Sequence, residues 1–186
     1  MQIIIGLGNP GDNYAKSRHN AGWIALDRLI GGDGWHFEKR FDALIKETDG
    51  RLYVKPQTFM NKSGESVLKI LKYYHLLSTR FPGAIKKEQD LKDLLFVIHD
   101  ELDLDLGTHR LSYDSRSGGN RGIQSIIDRL KTQKFTRLRL GIKTPLLHNP
   151  IPPEKYVLMR FSQEELSILD KEIEKGLTSL KKELAN

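Results

Sequence analysis

Two histidines in polar surroundings are the side chains of this sequence best suited to acid–base chemistry. His19 lies between Arg18 and Asn20, and the run His99-Asp100-Glu101 directly follows a strongly apolar segment. A carboxylate there can accept a hydrogen bond from the Nδ1–H of a histidine, fix its tautomer and leave Nε2 to take a proton from water. The arrangement suits hydrolysis without a protein nucleophile, although an exposed histidine without a function is an alternative for His19 taken by itself.

The acidic residues near this segment raise a second possibility, which is a metal ion bound through oxygen atoms. The four carboxylates in question are Asp100, Glu101, Asp103 and Asp105. They lack the spacing and the glycine turn of an EF-hand, and no His-x-x-x-His pair exists. Strand alternation also directs Asp100 and Glu101 to opposite sides. We therefore predict no metal and no cofactor, and the absence of cysteine excludes a thiolate ligand or nucleophile.

The glycine-rich segment Gly6–Gly11 matches G-x-G-x-x-G after a strand, the pattern of a dinucleotide-binding turn. That turn requires a helix that opens inside the motif, with its N-terminus under the pyrophosphate. The following segment Asp12–Asn20 is polar and has no apolar stripe, which favours a tight loop at a strand end. Such a loop brings Asn9 and His19 to the end of a central strand, where α/β proteins form their sites.

Two other segments carry polar groups that suit ligand binding. Asn61 is either a helix cap or an amide that can donate to and accept from a peptide-like ligand. The stretch Ser117–Gly122 is either a plain turn or a place where a ligand approaches the backbone. Arginines near that stretch in the sequence suit phosphate contacts; they are Arg110, Arg116, Arg121, Arg137 and Arg139.

The elements that position these residues follow from the hydrophobic pattern. The predicted strands are Met1–Leu7, Phe41–Lys46, Arg51–Lys55, Leu94–Ile98, Thr108–Tyr113 and a half-buried Arg137–Ile142. Asp49-Gly50 predicts a tight hairpin. Helical apolar spacing predicts helices after Asn20, after Asn61 or Ser63, after Gly122 and after the capping box Ser162-x-x-Glu165. Strands that alternate with helices indicate an α/β layer architecture with a mixed central sheet.

Composition narrows the class of protein. The 186 residues suit one domain, and 30 Lys+Arg against 24 Asp+Glu give a net charge of +6. This excess favours a polyanionic partner, although many basic enzymes bind no nucleic acid. The apolar runs are much shorter than the roughly 18 residues of a membrane span, and no secretory signal is visible. We therefore expect a cytoplasmic protein.

Six segments, in this order, resemble bacterial peptidyl-tRNA hydrolases. They are Ile4–Gly11, Tyr14 with Arg18–Gly22, Lys55–Gly64, His99–Leu104, Ser117–Gly119 and Arg137–Ile142. The resemblance implies a single three-layer α/β/α globule with a mixed central sheet (phosphorylase/hydrolase-like) over residues 1–186. It implies a monomer that hydrolyses the ester joining a peptide to the 3′ ribose of tRNA.

The resemblance also implies roles for individual residues. His19 matches the general base, Asp100 its orienting partner, and Asn9 a residue that senses the blocked or peptidyl substrate. Other residues match positions that contact the substrate or line its groove, and these are Tyr14, Phe59, Met60 and Asn61. Basic residues would then hold the tRNA phosphates without reading bases.

Two features depart from the family pattern. After Ser117-Gly118-Gly119 the family usually has His-Asn-Gly, whereas this chain has Asn120-Arg121-Gly122. In this chain either Arg121 binds a terminal phosphate or Asn120 replaces the missing amide. The longer link Ser78–Asp93 is expected to be a solvated insertion. The altered pair keeps open an alternative, a catalytically inactive RNA-binding relative of the same fold.

Overall fold

The secondary structure comes from a computed structural model that describes residues 1–80, 84–147 and 151–185. The strands are β1 (Gln2–Gly6), β2 (His36–Glu38), β3 (Ala43–Thr48), β4 (Arg51–Pro56), β5 (Thr79–Arg80), β6 (Ala84–Ile85), β7 (Leu95–Asp105), β8 (His109–Ser112) and β9 (Thr136–Lys143). The helices are α1 (Ala21–Ile30), α2 (Ser63–Tyr73), α3 (Arg121–Leu130), α4 (Pro153–Tyr156) and α5 (Gln163–Leu184), with 3₁₀ turns at Arg18–Asn20 and Met60–Lys62. Within these ranges, none of the helices combines the length and apolar character needed to cross a membrane.

Seven strands form one mixed sheet in the order β2-β3-β4-β1-β7-β9-β8. The four central strands β4, β1, β7 and β9 run parallel, and the outer strands join through antiparallel pairs. The hairpin between β3 and β4 is confirmed, since Asp49 and Gly50 have φ values of 54° and 69°, as a type I′ turn requires. The parallel arrangement directs the carboxyl ends of the central strands to one edge of the sheet, where α/β proteins place ligands.

Helices cover both faces of the sheet because the central strands are apolar on both sides. Ile3 and Ile5 of β1 belong to the core that includes α2 and α3, whereas Ile4 belongs to the core with α1 and α5. Successive strand residues point to opposite faces, so three consecutive isoleucines serve two cores. The capping box Ser162–Glu165 begins α5 as predicted. The predicted three-layer α/β/α fold with a mixed sheet is confirmed.

Glycine allows α1 to lie directly on the sheet. A Cβ atom on Gly6 would come within 2.5 Å of the Gly22 carbonyl oxygen, and one on Gly22 would collide with the Ile98 carbonyl oxygen. No helix opens inside the glycine-rich loop, since α1 begins only at Ala21. The loop therefore lacks the feature that a dinucleotide-binding turn requires. The glycines instead bring the start of α1, and the turn before it, against β1 and β7.

β7 is longer than the sequence predicted. The predicted end was Ile98, but the strand continues because β9 pairs with it beyond that point, and Glu101 lies opposite Gly141. Asp100 therefore lies within a strand and not in a loop after one. A side chain on a paired strand is held more tightly than one on a loop, which favours a defined catalytic geometry.

The strand predicted at Arg137–Ile142 is confirmed as β9, but the expectation that it is half-buried is wrong, because β9 is buried along most of its length. Arg137 is 1% exposed, and its guanidinium donates to the carbonyl groups of Ser115 and Arg116. Desolvation by burial lowers the pKa of Arg137 to about 10. The guanidinium of Arg137 is thus buried and bonded within the protein, so it is not available for the phosphate contact that its place in the sequence suggested.

Short elements held by distant partners were not predicted. They include β2, α4, the turn Arg18–Asn20, and the antiparallel pair of β5 with β6 within Ser78–Asp93. The charged residues Lys86, Lys87, Glu88 and Asp90 are exposed, which agrees with a solvated insertion. Part of that insertion, residues 81–83, lies outside the described residues.

Candidate active site

A cleft with a volume of about 430 Å³ opens at the carboxyl edge of the parallel strands. Its walls come from the loop after β1, both 3₁₀ turns, β7, the start of α3 and the α4 region. Every site residue predicted from the sequence lines this cleft, namely Asn9, Tyr14, His19, Phe59, Met60, Asn61, Asp100, Asn120 and Arg121. Folding thus brings together residues that are far apart along the chain.

His19 and Asp100 are hydrogen-bonded at the base of the cleft. The Nδ1 atom of His19 lies 2.9 Å from Oδ2 of Asp100. Because a carboxylate can only accept, Nδ1 carries the proton and Nε2 is left with its lone pair. The two residues are 8% and 2% exposed. Such a ring can take a proton from water, and the carboxylate can stabilise the imidazolium ion that forms.

Arg18 fixes the turn that carries His19, a role that the sequence gave no local sign of. Its guanidinium is buried over the ring of Tyr156, and one nitrogen donates to both carboxylate oxygens of Glu165 at 2.7 and 2.9 Å. The backbone N–H of His19 donates to the Val157 carbonyl group at 2.8 Å. Loss of Glu165 would leave the buried charge of Arg18 without its ionic partner, so this part of the site is firmly held.

Asn9 joins two loops of the site through its side-chain oxygen. Oδ1 accepts a hydrogen bond of 2.8 Å from the backbone N–H of Met60. The backbone N–H and carbonyl group of Asn9 are both bonded to the side chain of Asn20. With its oxygen occupied, Asn9 has its NH₂ group left for the cleft. A fixed donor of this kind suits a substrate carbonyl or a developing oxyanion.

Asn120 caps α3 and also contacts the catalytic candidates. Its Oδ1 accepts from the backbone N–H groups of Gly122 and Ile123 at 3.0 and 3.1 Å. Its Nδ2 donates to Oδ1 of Asp100 at 3.0 Å. Arg121, the first residue of the helix, is exposed beside the cleft. The two residues that depart from the family pattern therefore differ: Asn120 is hydrogen-bonded within the protein, whereas Arg121 is exposed to solvent.

The outer part of the cleft is more exposed. Phe59 is 57% exposed, Asn61 is exposed and Tyr14 is half-buried. Met60 differs from them, because it is buried. Its sulfur packs so closely against Gly122 that a Cβ atom on that residue would collide with the sulfur. Apolar and amide groups at an accessible opening are suited to a ligand that arrives from solvent.

The acidic residues of β7 do not converge on one point. Asp100 is bonded to His19, Glu101 to Arg139 at 2.8 Å, and Asp105 lies 3.6 Å from Lys143. Among the residues that the structure describes, no three His, Asp or Glu side chains form a group that could hold a metal ion. Of these carboxylates, Asp100 is the one hydrogen-bonded to His19.

His99 supports the backbone of Asp100 and is not a second base. It is fully buried, and its Nδ1 donates to the Asp100 carbonyl group at 2.7 Å. Desolvation lowers the pKa of His99 to about 4, so the ring is neutral near pH 7. The ring of His99 thus serves as a neutral hydrogen-bond donor to the backbone beside Asp100.

The fold has an α/β architecture, and its cleft brings together a histidine hydrogen-bonded to a carboxylate and several side-chain amides, a set of groups that suits hydrolysis. Comparison of the chain with models of protein families identifies one family, since the model of the Peptidyl-tRNA hydrolase family matches residues 3–186. The chain therefore belongs to the peptidyl-tRNA hydrolase family, and the resemblance found in the sequence is confirmed.

Individual relatives agree with this assignment. The peptidyl-tRNA hydrolase of Thermus thermophilus is 38% identical over 174 residues, which cover 94% of this chain and 84% of that protein. The enzyme of the same name from Mycoplasma capricolum is 40% identical over 174 residues, with 91% and 85% coverage. The crystal structure of peptidyl-tRNA hydrolase from Acinetobacter baumannii matches with a TM-score of 0.79 at 29% identity, covering 100% of this chain and 89% of that one.

Proposed function

We propose that this chain hydrolyses the ester bond of peptidyl-tRNA, releasing peptide and free tRNA, with water activated by His19. The observation that carries the proposal is the buried hydrogen bond of 2.9 Å between His19 and Asp100 in a cleft lined by amide groups. Membership of the family supports the substrate class. The whole chain acts as a single domain and a monomer in the cytoplasm, without a metal or cofactor.

The reaction needs only the groups of this cleft. Nε2 of His19 takes a proton from water as the water oxygen attacks the ester carbonyl carbon, while Asp100 stabilises the imidazolium ion. The NH₂ group of Asn9 donates to the oxyanion that develops on the ester, and that of Asn61 donates to a carbonyl group of the peptide. When the intermediate collapses, the 3′ oxygen of tRNA leaves and takes the proton from His19.

The exposed part of the cleft binds the substrate. Tyr14 and Phe59 offer aromatic surface to the peptide, and Met60 forms the floor beside them. Arg121 meets a phosphate of the acceptor end, and the net charge of +6 supports phosphate contacts elsewhere on the tRNA. Such contacts release counterions, so tRNA binding weakens steeply as the salt concentration rises.

The test is hydrolysis of N-blocked aminoacyl-tRNA by the purified chain in the presence of a chelator. We expect release of the blocked amino acid, and loss of nearly all of that rate in His19→Ala, which still binds tRNA. Binding by the wild-type chain without hydrolysis would favour the inactive RNA-binding alternative. Nothing in the site favours that alternative, because Asp100 keeps a hydrogen-bond donor from Asn120 despite the altered pair.

A further inference from the structure

Asn120 makes more hydrogen bonds than a helix cap needs. Two backbone N–H groups of α3 donate to its Oδ1, and its Nδ2 donates to Asp100 at both Oδ1 (3.0 Å) and the carbonyl oxygen (3.3 Å). The backbone groups of α3 can only donate, and both Asp100 oxygens can only accept. The orientation of the amide is therefore fixed by its partners, and neither end of it is left for a substrate.

The bond to Asp100 has a consequence for His19. One carboxylate oxygen of Asp100 accepts from His19 and the other accepts from Asn120, so both oxygens are held. Rotation of the carboxylate about its Cβ–Cγ bond would break at least one of these bonds. Held from both sides, the carboxylate keeps the plane in which it binds the Nδ1–H of His19. Asn120 also joins this carboxylate to the N-terminus of α3, which carries partial positive charge.

We propose that Asn120 is a positioning residue that ties the start of α3 to Asp100 and thereby fixes the orientation of His19. The proposal rests on the proposed function and assigns to Asn120 a role that differs from substrate binding. Capping alone explains the two bonds to Oδ1 but not the bond from Nδ2. A serine or an aspartate at the same position can also cap a helix, and neither supplies the NH₂ donor.

That difference defines the test, which is steady-state kinetics of two variants that keep the cap. We expect Asn120→Ser to lower kcat roughly tenfold, which corresponds to about 1.4 kcal/mol, with KM unchanged within about twofold. Asn120→Asp should lose more, because a second carboxylate would face Asp100. A third variant, Asn120→Ala, removes cap and donor together. It should lower the unfolding temperature further than Asn120→Ser while lowering kcat by a similar factor.

Two kinetic results would overturn the proposal. A rise in KM with unchanged kcat in Asn120→Ser would show that the amide contacts substrate, and unchanged kcat and KM would show that Asn120 only caps the helix. A second readout does not depend on hydrolysis, namely the NMR signal of the His19 Nδ1 proton. It should be present in the wild-type chain and broadened or shifted in Asn120→Ser; an unchanged signal contradicts the proposal. A wild-type chain without hydrolytic activity would contradict the proposed function, and the spectrum would still decide the role of Asn120.

Discussion

The cleft has two regions that are built differently. The inner wall consists of Asn9, His19, Asp100 and Asn120, and each of these side chains is hydrogen-bonded to another part of the protein. The rim consists of Tyr14, Phe59, Asn61 and Arg121, which are half-buried or exposed. The groups that we propose to carry out the chemistry are thus held in place by the protein itself, and those that we propose to meet the substrate first are left accessible.

This difference predicts two kinds of kinetic effect. A change in the inner wall removes interactions that matter most in the transition state, so it should lower kcat. A change in the rim removes interactions made equally with the bound substrate and the transition state, so it should raise KM. An inner-wall residue whose replacement only raises KM, or a rim residue whose replacement only lowers kcat, would break this comparison.

Among the residues that hold or assist His19, the largest effect is expected for Asp100→Asn. An asparagine can turn its NH₂ group toward Nδ1 of His19, which would favour the wrong tautomer and leave the ring unable to accept a proton at Nε2. We expect kcat to fall roughly 10³-fold, within the range for loss of general-base catalysis. Asp103→Asn is the matched control, because it removes the same charge at an exposed position of the same strand. Equal losses in both variants would contradict the assignment.

Asn9→Asp distinguishes the role of the side-chain oxygen of Asn9 from that of its NH₂ group. The variant keeps an oxygen that can accept from the Met60 N–H group but replaces the NH₂ donor with a second oxygen. We expect kcat to fall roughly 10²-fold, as for removal of one donor to an oxyanion, with little change in the unfolding temperature. If hydrolysis by Asn9→Asp matched that of the wild type, the donor would have no part in the reaction.

Phe59→Ala tests the rim. Because the side chain is 57% exposed, its removal should change the free energy of unfolding by no more than about 0.5 kcal/mol. We expect KM to rise about tenfold through lost apolar contact with the peptide, with kcat almost unchanged. A variant with normal KM and a tenfold lower kcat would place Phe59 with the inner wall.

The smallest effect is expected for Arg121→Asn, which restores the residue type that the family usually has. We expect KM to rise roughly threefold at low salt, as for loss of one exposed charge contact, and the difference to disappear at high salt because the charge is screened. The assay is hydrolysis by both chains over a salt series. A loss as large as that of His19→Ala would mean that this arginine belongs to the inner wall.

Local sequence signals predicted the parts of the fold that depend on neighbouring residues. The three isoleucines of β1, the Asp49-Gly50 turn and the capping box Ser162–Glu165 each depend on spacing within a few positions, and each is confirmed. The places of Asn9, His19 and Asp100 after predicted strands pointed to them as site residues, but their meeting in one cleft followed from resemblance to a family, since no local pattern links Asn9 with Asp100.

The parts that could not be predicted depend on partners distant in the sequence. Arg18 was known only as a charged neighbour of His19, and its burial requires Glu165 and Tyr156 from the other end of the chain. Likewise, the burial of Arg137 requires carbonyl groups that only the folded loop before α3 supplies. The network around Asn120 is of the same kind, because its two ends bind different elements.

The central claim is that His19, held by Asp100, activates the water molecule. The most direct measurement is the single-turnover rate of N-blocked aminoacyl-tRNA hydrolysis by His19→Ala, with tRNA affinity measured on the same preparation. The account predicts a loss of about 10²- to 10⁴-fold in rate, with affinity for tRNA and the unfolding temperature close to those of the wild type. Hydrolysis by His19→Ala at the wild-type rate would contradict it.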